Sequence, residues 1–111
     1  MSLNHVSISG NLGSDSELRA TRAGTKVLTF SLAVNERVKQ QDGEWADRTN
    51  WIDCVLFGRR AEALAPWLKK GDRAAVHGKL RATTYERDGR QVKRIEVVAD
   101  DIELMNYRRD R

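Results

Sequence analysis

Long runs of alternating apolar and polar residues dominate this chain and limit the folds open to it. In the clearest run, four large apolar side chains recur at every second position: Leu28, Phe30, Leu32 and Val34. A period of two is that of a β-strand with one buried face. Shorter or longer runs of the same kind lie in residues 5–9, 49–57, 72–86 and 91–105. We therefore predict five strands.

Two Asp-Gly pairs separate long strands. Asp42-Gly43 lies in the polar segment 36–48, and Asp88-Gly89 lies between the last two strands. Such pairs supply the positive φ angles that tight hairpin turns require. The segments around both pairs are therefore predicted to be hairpin arms.

The period changes once, after the third strand. Ala61, Leu64 and Leu68 have helical spacing. Pro66 lacks the donor for an internal helical hydrogen bond, so the predicted helix is short, and Gly71 is expected to cap its end. The predicted order is β-β-β-α-β-β.

This order predicts an all-β fold of the OB type, a five-stranded closed or nearly closed barrel with one short helix between strands 3 and 4. A ferredoxin-like sandwich needs a second helix, which residues 11–25 do not supply. The 111 residues suit one domain. We expect it to occupy residues 1–105, with 106–111 as a short polar C-terminal end.

The chain has few of the groups that enzymes use. Its one cysteine, Cys54, and its two isolated histidines, His5 and His77, offer no zinc cluster, and neither a phosphate-binding glycine loop nor a nucleophile elbow occurs. The pair Asp100-Asp101 is interpreted as exposed acids. We therefore expect no enzyme and no cofactor. The lone cysteine and the lack of a leader or membrane span predict a soluble cytoplasmic protein.

The basic surplus of the chain is regional. Twenty Lys and Arg against sixteen Asp and Glu give a net charge of +4. Residues 59–94 alone contain eleven basic and four acidic residues. Such a surplus is typical of proteins with an acidic partner, although it does not prove one.

Aromatic residues lie on the predicted outer face of the third strand. Trp51 and Phe57 share that face with Asp53, whose carboxylate would be costly to bury unpaired. In the fourth strand, Tyr85 shares a face with Lys79 and Arg81. Exposed rings stack bases for about 1–3 kcal/mol each, while cations bind the phosphates. The pattern predicts a groove for single-stranded nucleic acid.

Several alternatives remain open at this point. The helix or a second subunit could cover the aromatic face, which would make the rings part of a core. Trp45 is either a packing anchor or a stacking residue, whereas packing is favoured for Trp67. Cations of the polar arms could simply be solvated.

Many ordered blocks of this sequence resemble the bacterial single-stranded DNA-binding protein (SSB) family. They are ISGNLG (8–13), ELRATRAGT (17–25), FSLAVNE (30–36), DGEW (42–45), TNWIDCVLFGRRAE (49–62), WLKKGD (67–72) and HGKLRATTY (77–85). The resemblance implies an OB fold, assembled as a homotetramer or alternatively a dimer. It also implies nucleoid-associated binding of single-stranded DNA, without sequence preference, in replication, recombination and repair.

By position, the resemblance implies base stacking on Trp51, Phe57 and Tyr85. It implies phosphate contacts at Arg19, Arg59, Lys70 and Arg81. The charge pattern adds Lys79 and Arg94 as phosphate ligands, and Trp45 as a stacking candidate.

This sequence departs from the family pattern at four positions. Val38 stands where another stacking tryptophan is frequent, Asp53 where a basic residue is common, and Ile52 and Ala75 where larger or more polar interface residues are familiar. The first two departures should weaken binding. The family also continues into a disordered linker with an acidic tip, which we do not find before residue 111.

Two rival functions follow from the same fold. A primosomal-type OB protein would use this surface chiefly to bind another protein, possible partners being replication or repair proteins. An RNA-binding domain of the cold-shock type would carry different aromatic motifs, which the sequence lacks.

Overall fold

Six β-strands and one short α-helix make up residues 2–105, the part of the chain that this computed structural model describes. The strands are β1 (Val6–Leu12), β2 (Glu17–Ala20), β3 (Lys26–Lys39), β4 (Trp45–Phe57), β5 (Arg73–Arg87) and β6 (Arg90–Leu104). Helix α1 (Arg59–Leu64) continues into a 3₁₀ turn, Ala65–Trp67. The predicted polar end, 106–111, lies outside the described residues.

The strands form a closed barrel. Their order is β1-β5-β6-β4-β3-β2, and β1 also pairs with β3 at Asn11↔Ala33 and Leu12↔Leu32. This second pairing closes five strands into a ring, which confirms the predicted OB barrel. The sixth strand, β2, pairs only along the edge of β3. Its four residues are all exposed, so no apolar alternation identified it in the sequence.

Strand β1 is longer than predicted. The sequence indicated a turn from Gly10 onward, but the strand continues to Leu12. A Cβ atom at Gly10 would lie only 2.2 Å from the carbonyl oxygen of Ala33. Glycine here therefore permits the close crossing of β1 over β3 that closes the barrel, and does not mark a turn.

The barrel interior holds the apolar face of each long strand. Fully buried side chains include Leu28 and Leu32 of β3, Val76 of β5 and Val97 of β6. Helix α1 contributes Ala61, and Leu68 after the 3₁₀ turn is also fully buried. Pro66 lies in the 3₁₀ turn, in keeping with a short helix.

The expected helix cap at Gly71 is wrong. The helical segment ends at Trp67, and Leu68 is its capping residue. Gly71 belongs to the following turn, where its φ is +86° and its N–H donates to the carbonyl of Leu12 at 2.9 Å. The glycine therefore fastens the helical segment to β1.

Two hairpins extend past the barrel as arms. We call residues 35–51 of β3 and β4 the first arm, and residues 79–96 of β5 and β6 the second arm. Alternation in the sequence places Leu80 and Ala82 on the same face as Val76, and Ile95 on the same face as Val97, yet Leu80, Ala82 and Ile95 are exposed, Leu80 by 49% and Ile95 by 56%. They lie on the second arm, where no opposing sheet covers them. The arms raise the radius of gyration to 16.1 Å, against about 13 Å for a compact domain of similar length.

The two arms end in different turns. Both Asp88 and Gly89 have positive φ, of 51° and 75°, as predicted for a two-residue hairpin turn. In the first arm only Gly43 does, at 87°. Its N–H donates to the carbonyl of Gln40 at 3.0 Å, so the first turn is a longer loop than the second.

Candidate nucleic-acid interface

Three aromatic rings lie along one face of β4. Trp45, Trp51 and Phe57 are six residues apart, so the alternation of the strand directs all three to the same side. They are 57%, 61% and 39% exposed. Cys54, on the opposite face, is 2% exposed. The predicted outward orientation of Trp51 and Phe57 is thus confirmed within the single chain.

The same face is not open throughout. Val55 lies on it, between Trp51 and Phe57, yet is only 2% exposed. The alternative that α1 covers the aromatic face is wrong for the rings themselves, and within the single chain Trp45 does not fold back to pack against the barrel. Trp67 is 44% exposed and lies in the 3₁₀ turn, apart from the strand face.

The indole of Trp51 rests against Gly13, a residue with no predicted role in the site. A Cβ atom at Gly13 would lie 2.4 Å from Cζ3 of Trp51 and 2.9 Å from Cη2. Any larger residue would therefore push the ring away from its present position. The N–H of Gly13 donates to the carbonyl of Ser31 at 3.3 Å, which fixes the loop beneath the ring.

The second arm supplies one ring and several cations. Tyr85 is 44% exposed and pairs with Val92 across the hairpin. Lys79, Arg81 and Tyr85 occupy alternate positions of β5, so they share a face, as predicted. The guanidinium carbon of Arg81 lies 5.3 Å from the centre of the Phe57 ring, within cation–π range. This contact joins the face of the second arm to that of β4.

Carboxylates partner three of the predicted phosphate-binding arginines. Arg81 Nη2 lies 2.8 Å from Oε1 of Glu96, and Arg94 Nη2 lies 3.5 Å from Oδ2 of Asp53. At the edge of the sheet, Arg19 pairs with its neighbour Glu17 at 2.6 Å. The face is therefore a mixture of rings and paired charges.

A cleft of about 300 Å³ lies between the loop after β1 and the middle of β4. Its lining includes both Arg19 and Arg94, with their partners Glu17 and Asp53, and also Asp15. Asp15 Oδ1 accepts a hydrogen bond from the backbone N–H of Lys70 at 2.9 Å. The cleft thus brings Arg19 and Arg94 together, and the hydrogen bond holds Lys70 beside it.

Other cations of the sequence pattern lie elsewhere. Arg59 is exposed at the start of α1, off the strand face. Arg60 donates to the carbonyl of Asp100 at 3.0 Å and pairs with Asp101 at 2.7 Å, so it fastens α1 to β6. Mainly because Arg60 donates to its carboxylate, the pKa of Asp101 lies below its usual value.

The titratable side chains of the barrel offer little chemistry. Burial raises the pKa of the Cys54 thiol to about 12, with Asp53 and Glu96 adding to the effect. A thiol of this kind stays protonated and unreactive at neutral pH.

Among residues 2–105, no group of three or more His, Cys, Asp or Glu is arranged to hold a metal ion. Within the same residues, no helix has the length and apolar character to cross a membrane.

Sequence reasoning missed one residue and two ion pairs of this surface. The role of Gly13 is visible only in three dimensions, and the pairing of Asp53 with Arg94 joins strands that are distant in sequence. The pairing of Arg81 with Glu96, in contrast, could have been predicted from the sequence. Counting outward from the two-residue turn at Asp88-Gly89 places these side chains opposite each other.

Comparison with solved structures supports the fold. A Plasmodium falciparum SSB in complex with ssDNA superposes with a TM-score of 0.86 and 26% identity, covering 96% of this chain and 97% of that one. A deletion mutant of the single-stranded DNA binding protein from Thermus aquaticus gives a TM-score of 0.83 and 28% identity, covering 96% of this chain and 52% of that one.

Two proteins of similar sequence are single-stranded DNA-binding proteins. The single-stranded DNA-binding protein of Treponema pallidum (strain Nichols) is 38% identical over 103 residues, which are 93% of this chain and 58% of that protein. That of Borreliella burgdorferi (strain B31) is 37% identical over 106 residues, covering 94% and 70%. The chain therefore spans little more than half of the first relative's length. Since residues 3–105 also match the sequence profile of the single-strand binding protein family, the chain belongs to that family.

Proposed function

We propose that this protein binds single-stranded DNA without sequence specificity. One observation carries the proposal: exposed aromatic rings and cations share one face of β4, β5 and β6. Family membership and the ssDNA complex of the Plasmodium relative support it. The proposed stacking rings are Trp51, Phe57, Tyr85 and Trp45. The proposed phosphate ligands are Arg19, Arg59, Lys70, Lys79, Arg81 and Arg94.

The lack of sequence preference follows from the kind of contact. Every base has a π-face, so stacking on Trp51 or Phe57 accepts all four. Arginine and lysine bind phosphates, which carry no sequence information. A surface built from these groups therefore recognises an unpaired strand rather than a particular sequence.

The proposal extends to the biological setting. We expect residues 1–105 to form one DNA-binding domain that acts without catalysis, associated with the nucleoid in the cytoplasm. Protection of single strands in replication, recombination and repair is the corresponding role, and a homotetramer is the expected assembly.

A fluorescence titration with oligo-dT at low salt tests the binding. Because Trp45 and Trp51 are more than half exposed, stacked bases should quench their emission. Each phosphate contact should add about 0.7 to the magnitude of the log–log salt slope. Unchanged emission would contradict stacking, and binding that does not weaken with salt would contradict the phosphate contacts.

Native mass spectrometry, with and without oligo-dT, tests the assembly. We expect tetramers that take up DNA. Monomers without DNA would overturn the proposal, while a dimer with weak DNA binding and tight binding to another protein would favour the protein-interaction alternative.

A further inference from the structure

Two arginines of the proposed DNA face have carboxylate partners, but the two ion pairs differ. Arg81 and Glu96 are 2.8 Å apart, and the Glu96 side chain is only 12% exposed. Arg94 and Asp53 are 3.5 Å apart, and their side chains are 51% and 49% exposed. The first, which we call the sheltered pair, is short and has a carboxylate largely out of contact with water, although its arginine is 43% exposed. The second, the open pair, is longer and half exposed on both sides.

The sheltered pair should resist opening. If a phosphate drew Arg81 away, the carboxylate of Glu96 would be left with little solvent and no counter-charge, which is costly. Arg81 would also lose its contact with the Phe57 ring. Arg81 is therefore expected to keep Glu96 as its partner when DNA binds, to contact a phosphate only through its remaining N–H donors, and to hold the Phe57 ring in place.

The open pair should separate easily when a phosphate approaches Arg94. An ion pair at half-exposed positions is screened by water and contributes little. An arginine can bind phosphate through two parallel N–H donors, a stronger arrangement than the present single 3.5 Å approach. Arg94 also lines the cleft that contains Arg19, so a strand passing along the cleft would meet it.

Resting on the proposed function, we propose that Asp53 limits the affinity for DNA by competing with a phosphate for Arg94. Binding opens the Arg94–Asp53 pair, whereas the Arg81–Glu96 pair remains closed. The carboxylate of Asp53 is then left beside the phosphate, which lowers the affinity further by repulsion.

The substitution Asp53→Asn tests the inference in the whole protein, with oligo-dT as the probe. It removes the competitor and keeps the size of the side chain. We expect binding about two- to fivefold tighter, the range for an exposed ion pair. We also expect the salt slope to steepen by about 0.7, because Arg94 becomes a free phosphate ligand. The matched control is Asp101→Asn, which makes the same charge change at an ion pair with Arg60 and should not alter binding.

A double-mutant cycle separates competition from simple repulsion. In an Arg94→Gln background, Asp53→Asn should tighten binding by less than it does alone, since no arginine remains to be released. An equal gain in both backgrounds would overturn the competition. Unchanged affinity of Asp53→Asn relative to Asp101→Asn would overturn it too.

A substitution in the sheltered pair should change the affinity for DNA in the opposite direction. Glu96→Gln should weaken binding about two- to fivefold, because Arg81 and the Phe57 ring lose their support. Tighter binding by Glu96→Gln would show that this pair opens as well and would overturn the distinction between the pairs. Failure of the unsubstituted protein to bind oligo-dT overturns the proposed function itself, whereas a failure confined to the variants overturns only this inference.

Discussion

The two arms have the same hairpin architecture but carry different side chains. The first arm, residues 35–51, contains two tryptophans, three basic residues and four acidic ones. The second arm, residues 79–96, contains one tyrosine, six basic residues and three acidic ones. Stacking surface is therefore concentrated on one hairpin and positive charge on the other. If the protein binds DNA as proposed, we expect the first arm to set the affinity through stacked bases and the second to set the salt dependence through phosphate contacts.

Truncating the first arm's better-supported ring should have the largest effect. Trp51→Ala should weaken oligo-dT binding by roughly tenfold or more, as expected for the loss of one stacked base. The salt slope should stay the same. Anisotropy with labelled oligo-dT measures both, with Trp67→Phe as the control outside the face. Equal affinities of Trp51→Ala and the unsubstituted protein would break the assignment of stacking to the first arm.

Gly13→Ala should weaken oligo-dT binding by less than Trp51→Ala does. The added methyl group would collide with the indole of Trp51, because its Cβ would lie 2.4 Å from the ring. Displacement of the ring should weaken binding about three- to tenfold, part of the value of a stacked base. Measured in a Trp51→Ala background, Gly13→Ala should cause no further loss. A full additional loss there would mean that Gly13 acts independently of the ring.

Single lysines on the two arms should then behave differently. Lys79→Gln on the second arm should reduce the magnitude of the salt slope by about 0.7, one phosphate contact, and weaken binding only a fewfold at low salt. Lys39→Gln on the first arm should leave the slope unchanged. Salt titrations of both variants make the comparison, and equal slopes would contradict the division between the arms.

The barrel beneath both arms should respond to pH without affecting binding. The Cys54 thiol has its pKa raised to about 12 in the folded protein, whereas a free thiol ionises near 8.5. As pH rises above the free value, the unfolded chain loses this proton first, so the stability contributed by the neutral thiol declines. Denaturant melts at pH 8 and 10.5 should show a steeper fall for the native protein than for Cys54→Ala. A disulfide reagent at pH 8 should react only after unfolding.

Much of the fold could be predicted because its rules are local. Alternation identified the five barrel strands, and the Asp88-Gly89 turn sets the register that brings Arg81 opposite Glu96. The closure at Gly10 and the short β2 depend on contacts between distant segments, so no local pattern revealed them. The exposure of Leu80 and Ile95 could not be predicted, because alternation gives the face of a strand on which a residue lies but not whether another sheet covers that face.

The candidate site likewise has a part that local sequence patterns predict and a part that they do not. Which face of β4 carries Trp51 follows from parity and from the cost of burying Asp53. The partner of Asp53 does not, because β4 and β6 are parallel neighbours whose pairing the sequence leaves open. The roles of Trp45, Arg59 and Lys70 in DNA binding stay predictions.

The even spacing of the rings on β4 also sets a length scale. Six residues of extended strand separate Trp45 from Trp51, and Trp51 from Phe57, or roughly 20 Å each at about 3.3 Å per residue. Bases stacked on neighbouring rings are therefore not adjacent in the DNA, and the nucleotides between them span the interval as a tether. An oligonucleotide shorter than one interval can engage only one of these three rings, and it forgoes the gain in effective concentration that a second, linked ring of β4 provides.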